Sequence, residues 1–380
     1  MNIKQVSSSF LRMWVYLGIV IALQLLPFNV GQQALSQEPY KIGVTFPLSG
    51  SVGGFGQLNL ISLQMAVEEQ NRKGGIKGRD VKLVIEDTKG TAEGGLAALR
   101  KAVEFDKVPV VMSMLTNVIL VQIPYANSKG VVLISSVQSP GIAEKSYWNF
   151  VFADEDVDII RMEVALLKSL GAKRLFSFLV DNALGRYDLE LIKKMWVDEQ
   201  RGSHENAYFK LGETDFRGLV MRADAYKPDG IMILPQGTSE GGLMIKQIRE
   251  AGIKVPVLSN SSMLIPGVKK ACAGVDEGVI FPDSPRSGEV YRRYAEEFKK
   301  RTGEDPFLLS LIWHDTPRMI MEAIEKKGYA AKEIRDYLAN LKNFPLTGGG
   351  TTGFDANKLA SVPRMLYQIK GGKPVPYSVK

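Results

Sequence analysis

The sequence predicts an α/β protein of two lobes, each a parallel sheet with helices on both faces. Three observations carry this. The chain has 380 residues, more than one core usually organises, since single cores stop growing near about 250–300 residues. Its 45% hydrophobic and 23% charged residues match ordinary globular usage and exclude disordered, collagen-like and polytopic membrane chains. From Tyr40 onward, short β-branched runs alternate with longer amphipathic ones, the pattern of βαβ units.

Taken in order, residues 41–46 read as the first strand, followed by a glycine-rich loop, 47–56, with Phe55 at its tip, and a helix ending at Asn71. Leu60, Leu63 and Val67 recur at helical spacing along that helix, and Gly74-Gly75 stops it. Strand 81–86, helix 92–105, strand 108–115, helix 118–128 and strand 131–135 complete one lobe. The programme then repeats: helix 156–170, strand 174–180, helix 184–200, strand 207–210, helix 216–226, strand 230–234, helix 239–251 and strands 255–258 and 278–281. Helices at 288–301, 308–326 and 332–341 and a last strand at 364–369 follow. Stretches 153–157, 282–285 and 351–363 carry Pro, Gly or Asp without long apolar runs and are candidate crossovers between lobes.

Residues 1–36 hold Lys4 and Arg12 but no acid, an apolar run over 13–30, and small Ala34 and Ser36. That order is a secretory signal with cleavage after Ser36, or after Ala34. Gln24 and Pro27 weaken the competing reading as a membrane anchor. No cysteine follows the apolar run, which argues against a lipoprotein, so the expected destination is the periplasm of a double-membraned bacterium. Cleavage lowers the net charge of +7 by two, and the bases lie scattered among acids, so no nucleic-acid groove is expected.

One cysteine, Cys272, excludes an intrachain disulfide and a CxxC site, and two distant histidines, His204 and His314, form no metal-ligand pair. No metal and no cofactor are expected. Gly54-Phe55-Gly56 is followed by Asn59 where a dinucleotide fingerprint needs a small residue, and the P-loop Gly-Lys-Ser/Thr is missing. The glycines then mark a close approach of backbone. His314 sits in an apolar helical run and reads as a satisfied ring, and His204 reads as part of a polar turn, so no Ser-His-Asp site is supported. What remains are polar residues at strand ends, where open α/β sheets bind ligands. Thr116 and Asn117 end one strand, and Ser135, Ser136, Gln138 and Ser139 end another. Hydroxyls with helix-start amides suit a carboxylate, and they equally suit helix capping by Thr116 and Ser139.

These stretches give the chain its resemblance to the branched-chain amino-acid (Leu/Ile/Val) class of periplasmic solute-binding proteins that feed ABC importers, the type I periplasmic binding fold. The telling segments are Ile42-Gly43-Val44 through Pro47-Leu48-Ser49-Gly50, then Asn71-Arg72-Lys73-Gly74-Gly75-Ile76-Lys77-Gly78-Arg79, Glu86-Asp87-Thr88, and Gly130-Val131-Val132-Leu133-Ile134-Ser135. The resemblance implies two Rossmann-like lobes, three crossovers, and closure of a cleft over a small solute. It divides the chain into lobe one (37–155 and 284–360) and lobe two (156–283 and 361–380). It also implies that Thr116 and Ser139, with Asn117 and Gln138 beside them, receive the ligand carboxylate, that the Val137 carbonyl faces an ammonium, and that Phe55 covers the ligand side chain. Lobe two departs from the family pattern. Leu184 and Gln236 lie where tyrosines are usual, and Ser261 falls where an acid pairs with the α-ammonium. Without that acid, a buried ammonium would go unpaired at a cost of several kcal/mol.

The expected protein is therefore a non-catalytic, monomeric receptor that takes a carboxylate-bearing solute, an aromatic or aliphatic organic acid ahead of a hydrophobic amino acid, and delivers it to an ABC permease. A membrane-anchored sensor using the same two-lobe module is the alternative.

Overall fold

The computed structural model describes residues 38–50, 52–137, 141–153, 156–236 and 239–378. The signal sequence expected over 1–36 lies outside them, as do Gln138 and Ser139. Pro39–Lys380 forms one compact unit holding two large sheets.

The first sheet has β1 (Tyr40–Phe46), β2 (Val81–Asp87), β3 (Val110–Ser113), β4 (Val132–Ser135) and β5 (Asn149–Phe152), all parallel, in the order 2-1-3-4-5. Its strands are apolar on both sides because helices cover both faces. Ile42, Val44, Met112 and Ile134 pack against α1 (Gly53–Arg72) and α10 (Leu308–Lys327), while Val111, Leu133 and Val151 pack against α2 (Ala92–Glu104) and α3 (Thr116–Lys129). Where α3 meets the sheet, Gln122 Nε2 donates to Thr45 Oγ1 at 3.1 Å, and within the sheet Ser113 Oγ donates to the Thr45 carbonyl at 3.2 Å, so Thr45 is bonded from both sides.

The second sheet repeats the plan with β6 (Arg174–Val180), β7 (Ser203–Phe209), β8 (Gly230–Leu234), β9 (Val257–Ser259) and β10 (Ile280–Asp283), in the order 7-6-8-9-10. An antiparallel hairpin, β14 (Met365–Lys370) and β15 (Lys373–Pro376), extends its edge. The chain passes from sheet one to sheet two after β5, returns after β10 through the small ladder of β11 (Phe344–Pro345) and β12 (Thr351–Thr352) to pair β13 (Leu359–Ala360) with β5, and crosses again before β14. The fold is the expected one: two Rossmann-like α/β lobes with parallel-sheet cores and three crossovers. Two buried polar knots hold the later crossovers. Asp283 and Arg286, both buried, pair at 2.5 Å, and Arg286 also donates to the Pro306 carbonyl at 2.7 Å. Asp315 accepts from the Thr347 amide and from Arg318, with its carboxyl pushed up by burial.

The structure corrects several local expectations. Helix α1 starts at Gly53, so Phe55 sits in its first turn, not at a loop tip. The glycine there serves a close approach within the chain: a Cβ on Gly56 would lie 1.8 Å from the Pro47 carbonyl oxygen. Thr116 is the first residue of α3, and the capping position falls to Leu115, whose φ of 73° is strained for a residue with a Cβ. His204 is in β7, not in a turn. Its Nε2 lies 2.8 Å from Ser177 Oγ. His314 is buried on α10, its Nδ1 2.8 Å from Thr347 Oγ1. Strand β5, helix α8 (Pro266–Cys272) and the β15 edge have no counterpart in the sequence reading. Cys272, at the end of α8, is fully buried, and burial pushes its thiol up to about 12.

Candidate functional site

Both sheets change direction at their second strand, β1 and β6, and crevices for ligands open at such points, beyond the carboxyl ends of the strands. A cavity of about 150 Å³ lies on that side of both sheets, lined by residues that follow β4, β5, β8 and β9.

One wall is Phe55, Ser136 just after β4, Ala153 just after β5, and the start of α10: Phe307, Leu308, Leu309 and Ile312. Local chemistry fixes each. The contact of Gly56 with Pro47 presses the first turn of α1 against the exit of β1, which presents Phe55 to the cavity. The α10 terminus is tied by Ser310, whose Oγ accepts from the Phe307 amide at 3.0 Å and donates to the Phe307 carbonyl at 2.7 Å. Phe55 and Phe307 then face each other with ring centroids 5.9 Å apart and planes inclined by 30°.

The other wall is Pro235 and Gln236 after β8, and Asn260, Ser261, Ser262 and Ile265 after β9. Asn260 braces the two strand ends: its Nδ2 donates to the Pro235 carbonyl at 3.1 Å and its Oδ1 accepts from the Ser262 amide at 3.1 Å. Gln236 is engaged as well, with Oε1 accepting from Asn182 Nδ2 at 2.8 Å. Asn182 is itself fixed, since its Oδ1 caps α5 (Ala183–Ile192) by accepting from the Gly185 amide at 3.0 Å. Two hydroxyl oxygens at the cavity, Ser136 Oγ and Ser262 Oγ, are buried and have no hydrogen-bond partner. Among the described lining residues none is charged, and among the described residues no cluster of His, Cys, Asp and Glu could hold a metal ion.

Of the residues singled out in the sequence, the cavity brings together Phe55, Ser136, Gln236 and Ser261. Thr116, Asn117, Val137 and Leu184 are not among its lining. Asn117 is exposed and donates to the Gly90 carbonyl at 3.0 Å, and Val137 is buried in the core between sheet one and α3. The sequence reading missed Phe307, Leu308, Leu309 and Ile312, which look like any apolar helix start. It also missed Asn260 and Ser262, although their place directly after a strand was a usable signal.

A model of the periplasmic binding protein family matches residues 39–373. The chain is 25% identical over 360 residues to a Leu/Ile/Val-binding protein of Rhizobium johnstonii, covering 90% of this chain and 94% of that one. Among solved structures it is similar to a branched-chain amino acid transporter substrate-binding protein of Streptococcus pneumoniae in complex with isoleucine, with 22% identity and a TM-score of 0.79, covering 89% of this chain and 98% of that one. It is similar also to a solute-binding protein of an ABC transporter from R. palustris in complex with benzoate, with 18% identity and a TM-score of 0.77, covering 89% and 95%. At these identities the two structures speak for the fold alone.

Proposed function

The chain belongs to the periplasmic binding protein family, and we propose that within it the protein is an exported receptor that traps a small carboxylate-bearing organic solute between its lobes and delivers it to an ABC permease. On this reading residues 1–36 are removed on export and the mature monomer works in the periplasm without catalysing a reaction. Lobe one is 37–155 with 284–360, and lobe two is 156–283 with 361–380, so the three crossovers act as the hinge. The solute touches both walls at once and so binds the closed arrangement better than the open one, which shifts the population toward closure.

The observation that carries this reading is the cavity at the facing strand ends, with an apolar floor, uncharged polar groups, and no lining carboxylate among the described residues. An α-ammonium buried there would lack a charged partner. The relatives bracket the choice, one named for leucine, isoleucine and valine and one holding benzoate. A thermal-shift panel of amino acids against aromatic and aliphatic acids tests it. A solute present at 100 times its dissociation constant stabilises by about 2.7 kcal/mol. Strong stabilisation by leucine or valine, with none from acids that lack an amine, would refute the organic-acid preference and leave the receptor standing.

A further inference from the structure

We propose that Arg286, which is not among the residues lining the cavity, is a positioning residue for it: the buried guanidinium fixes Phe307 where it faces Phe55, and so sets the fit of the solute between the two walls. This rests on the receptor reading above and adds to the same site a residue that does not touch the solute.

The guanidinium makes four bonds: Nε and Nη2 donate to Asp283 Oδ2 at 3.2 and 2.5 Å, and Nη1 donates to the Tyr291 hydroxyl at 3.2 Å and to the Pro306 carbonyl at 2.7 Å. Each partner belongs to a different segment. Asp283 ends β10, which pairs with β9 at Ile280 and Leu258, and β9 runs straight into Asn260, Ser261 and Ser262 of the second wall. Tyr291 is in the first turn of α9 (Gly288–Thr302). Pro306 immediately precedes Phe307 of the first wall. The side chain is therefore a strut between the walls, built into the crossover after β10.

Its worth lies in geometry. A buried ion pair gains little over apolar side chains of the same volume, because both charges must leave water, so stability alone is a poor account of it. A planar fork with five N–H donors does fix angles and distances. The connection from α9 to α10 has little else to hold it. Asp305 pairs with Lys299 at 2.8 Å, but both are exposed, where ion pairs contribute little. Thr302 Oγ1 accepts from the Glu304 amide at 3.1 Å, which ties the connection to α9 only. Pro306 is buried, so without Arg286 its carbonyl would be a buried acceptor short of a donor and would be driven to move. Phe307 would move with it, and the 5.9 Å between the two ring centroids would change.

Fluorine NMR of the purified chain, with 4-fluorophenylalanine in place of Phe307 or, as a control, of Phe216, tests this without a ligand. Phe216 is fully buried against Phe209 of β7, four strands along the sheet from β10. Arg286→Met leaves Asp283 buried and unpaired, so it should lower the melting temperature. Adding Asp283→Asn removes the stray charge and keeps an acceptor for the Ser284 amide, which Asp283 Oδ1 serves at 2.8 Å, so most of the lost temperature should return. The resonance at position 307 should nevertheless stay shifted and broadened in the double variant, while that at position 216 keeps its native place. Arg286→Lys, which keeps a charge beside Asp283 but not the fork, should give the same pattern. With a merely structural residue, both resonances would recover along with the melting temperature. Calorimetric titration with benzoate and with L-leucine supplies a second readout. Whichever binds the native chain should bind the double variant roughly threefold to tenfold more weakly, the worth of one aromatic contact. A native resonance at 307 in the double variant overturns the proposal. So does displacement of 216 along with 307, and so does native affinity in a variant whose 307 resonance has moved. If neither probe binds the native chain, that counts against the receptor reading alone, and the fluorine comparison decides by itself whether Arg286 places the wall.

Discussion

On the lobe-one side the cavity wall is Phe55, Phe307, Leu308, Leu309 and Ile312, with Ser136 at its edge. On the lobe-two side it is Pro235, Gln236, Asn260, Ser261, Ser262 and Ile265. The first wall continues into both cores: Leu308 and Ile312 belong to the cluster under sheet one, while Phe307 belongs to that under sheet two, where it packs edge-on against Phe298. The second stands on the amide side chains of Gln236 and Asn260, held by hydrogen bonds at strand ends, with Ser261 and Ser262 beside them. Burial is non-directional and scales with area, whereas hydrogen bonds are directional. On the proposed reading, the first wall would supply affinity for bulk and the second would supply discrimination. Changes in the first wall should disturb folding and binding together, and changes in the second should disturb binding more than folding.

Phe307→Ala is the severest test of that contrast. Its ring is 1% exposed, and truncation should cost about 3–5 kcal/mol in urea unfolding. A loss under about 1 kcal/mol would show that the wall is separable from the core. Acidity should come next, because the chain holds one buried and one half-buried histidine, both neutral. Burial, with Lys193 adding, pushes His204 down to about 4, and burial, with Arg318 adding, pushes His314 down to about 3. Both take up protons near pH 6.5 once unfolded. Their contribution is thus complete above about pH 6.5 and is lost as pH falls toward 4, the unfolded chain binding the extra protons. At pH 4.5 His204 alone should withdraw about 2 kcal/mol relative to pH 7. Urea unfolding at the two pH values should show a smaller difference in His204→Gln than in the native chain. Asn260→Ala removes the brace between Pro235 and Ser262 and should cost about 1–2 kcal/mol, with a proportionately larger loss of solute affinity by calorimetry. Gln236→Ala should move stability by no more than about 0.5 kcal/mol, since the residue is exposed, while still changing the dissociation constant. An equal effect on both quantities would erase the distinction between the walls.

Most of the fold was legible because each lobe alternates β-branched runs with amphipathic helices. Strand 174–180, for example, matches β6 residue for residue. Strand β5 escaped because it is only four residues long and opens on the polar Asn149, and β7 was shortened because His204, Glu205 and Asn206 are polar in a strand whose outer half is partly exposed. The site was legible where a polar residue follows a strand, as at Gln236 and Ser261. It was hidden where it depends on the return of the chain: Phe307 lies 252 positions beyond Phe55, and the two rings meet because α10 packs on α1 after the crossover at β10. Nothing local to either aromatic marks it as half of a pair.

The lone thiol carries a practical corollary. Cys272 is enclosed at the end of α8 and holds its proton until about pH 12, so maleimides and oxidants meet no thiolate there at neutral pH. Two cysteines placed on the exposed rims of the lobes could be tagged with fluorophores in the otherwise native background. The distance between the dyes would then report directly whether the jaws draw together when a small acid is added.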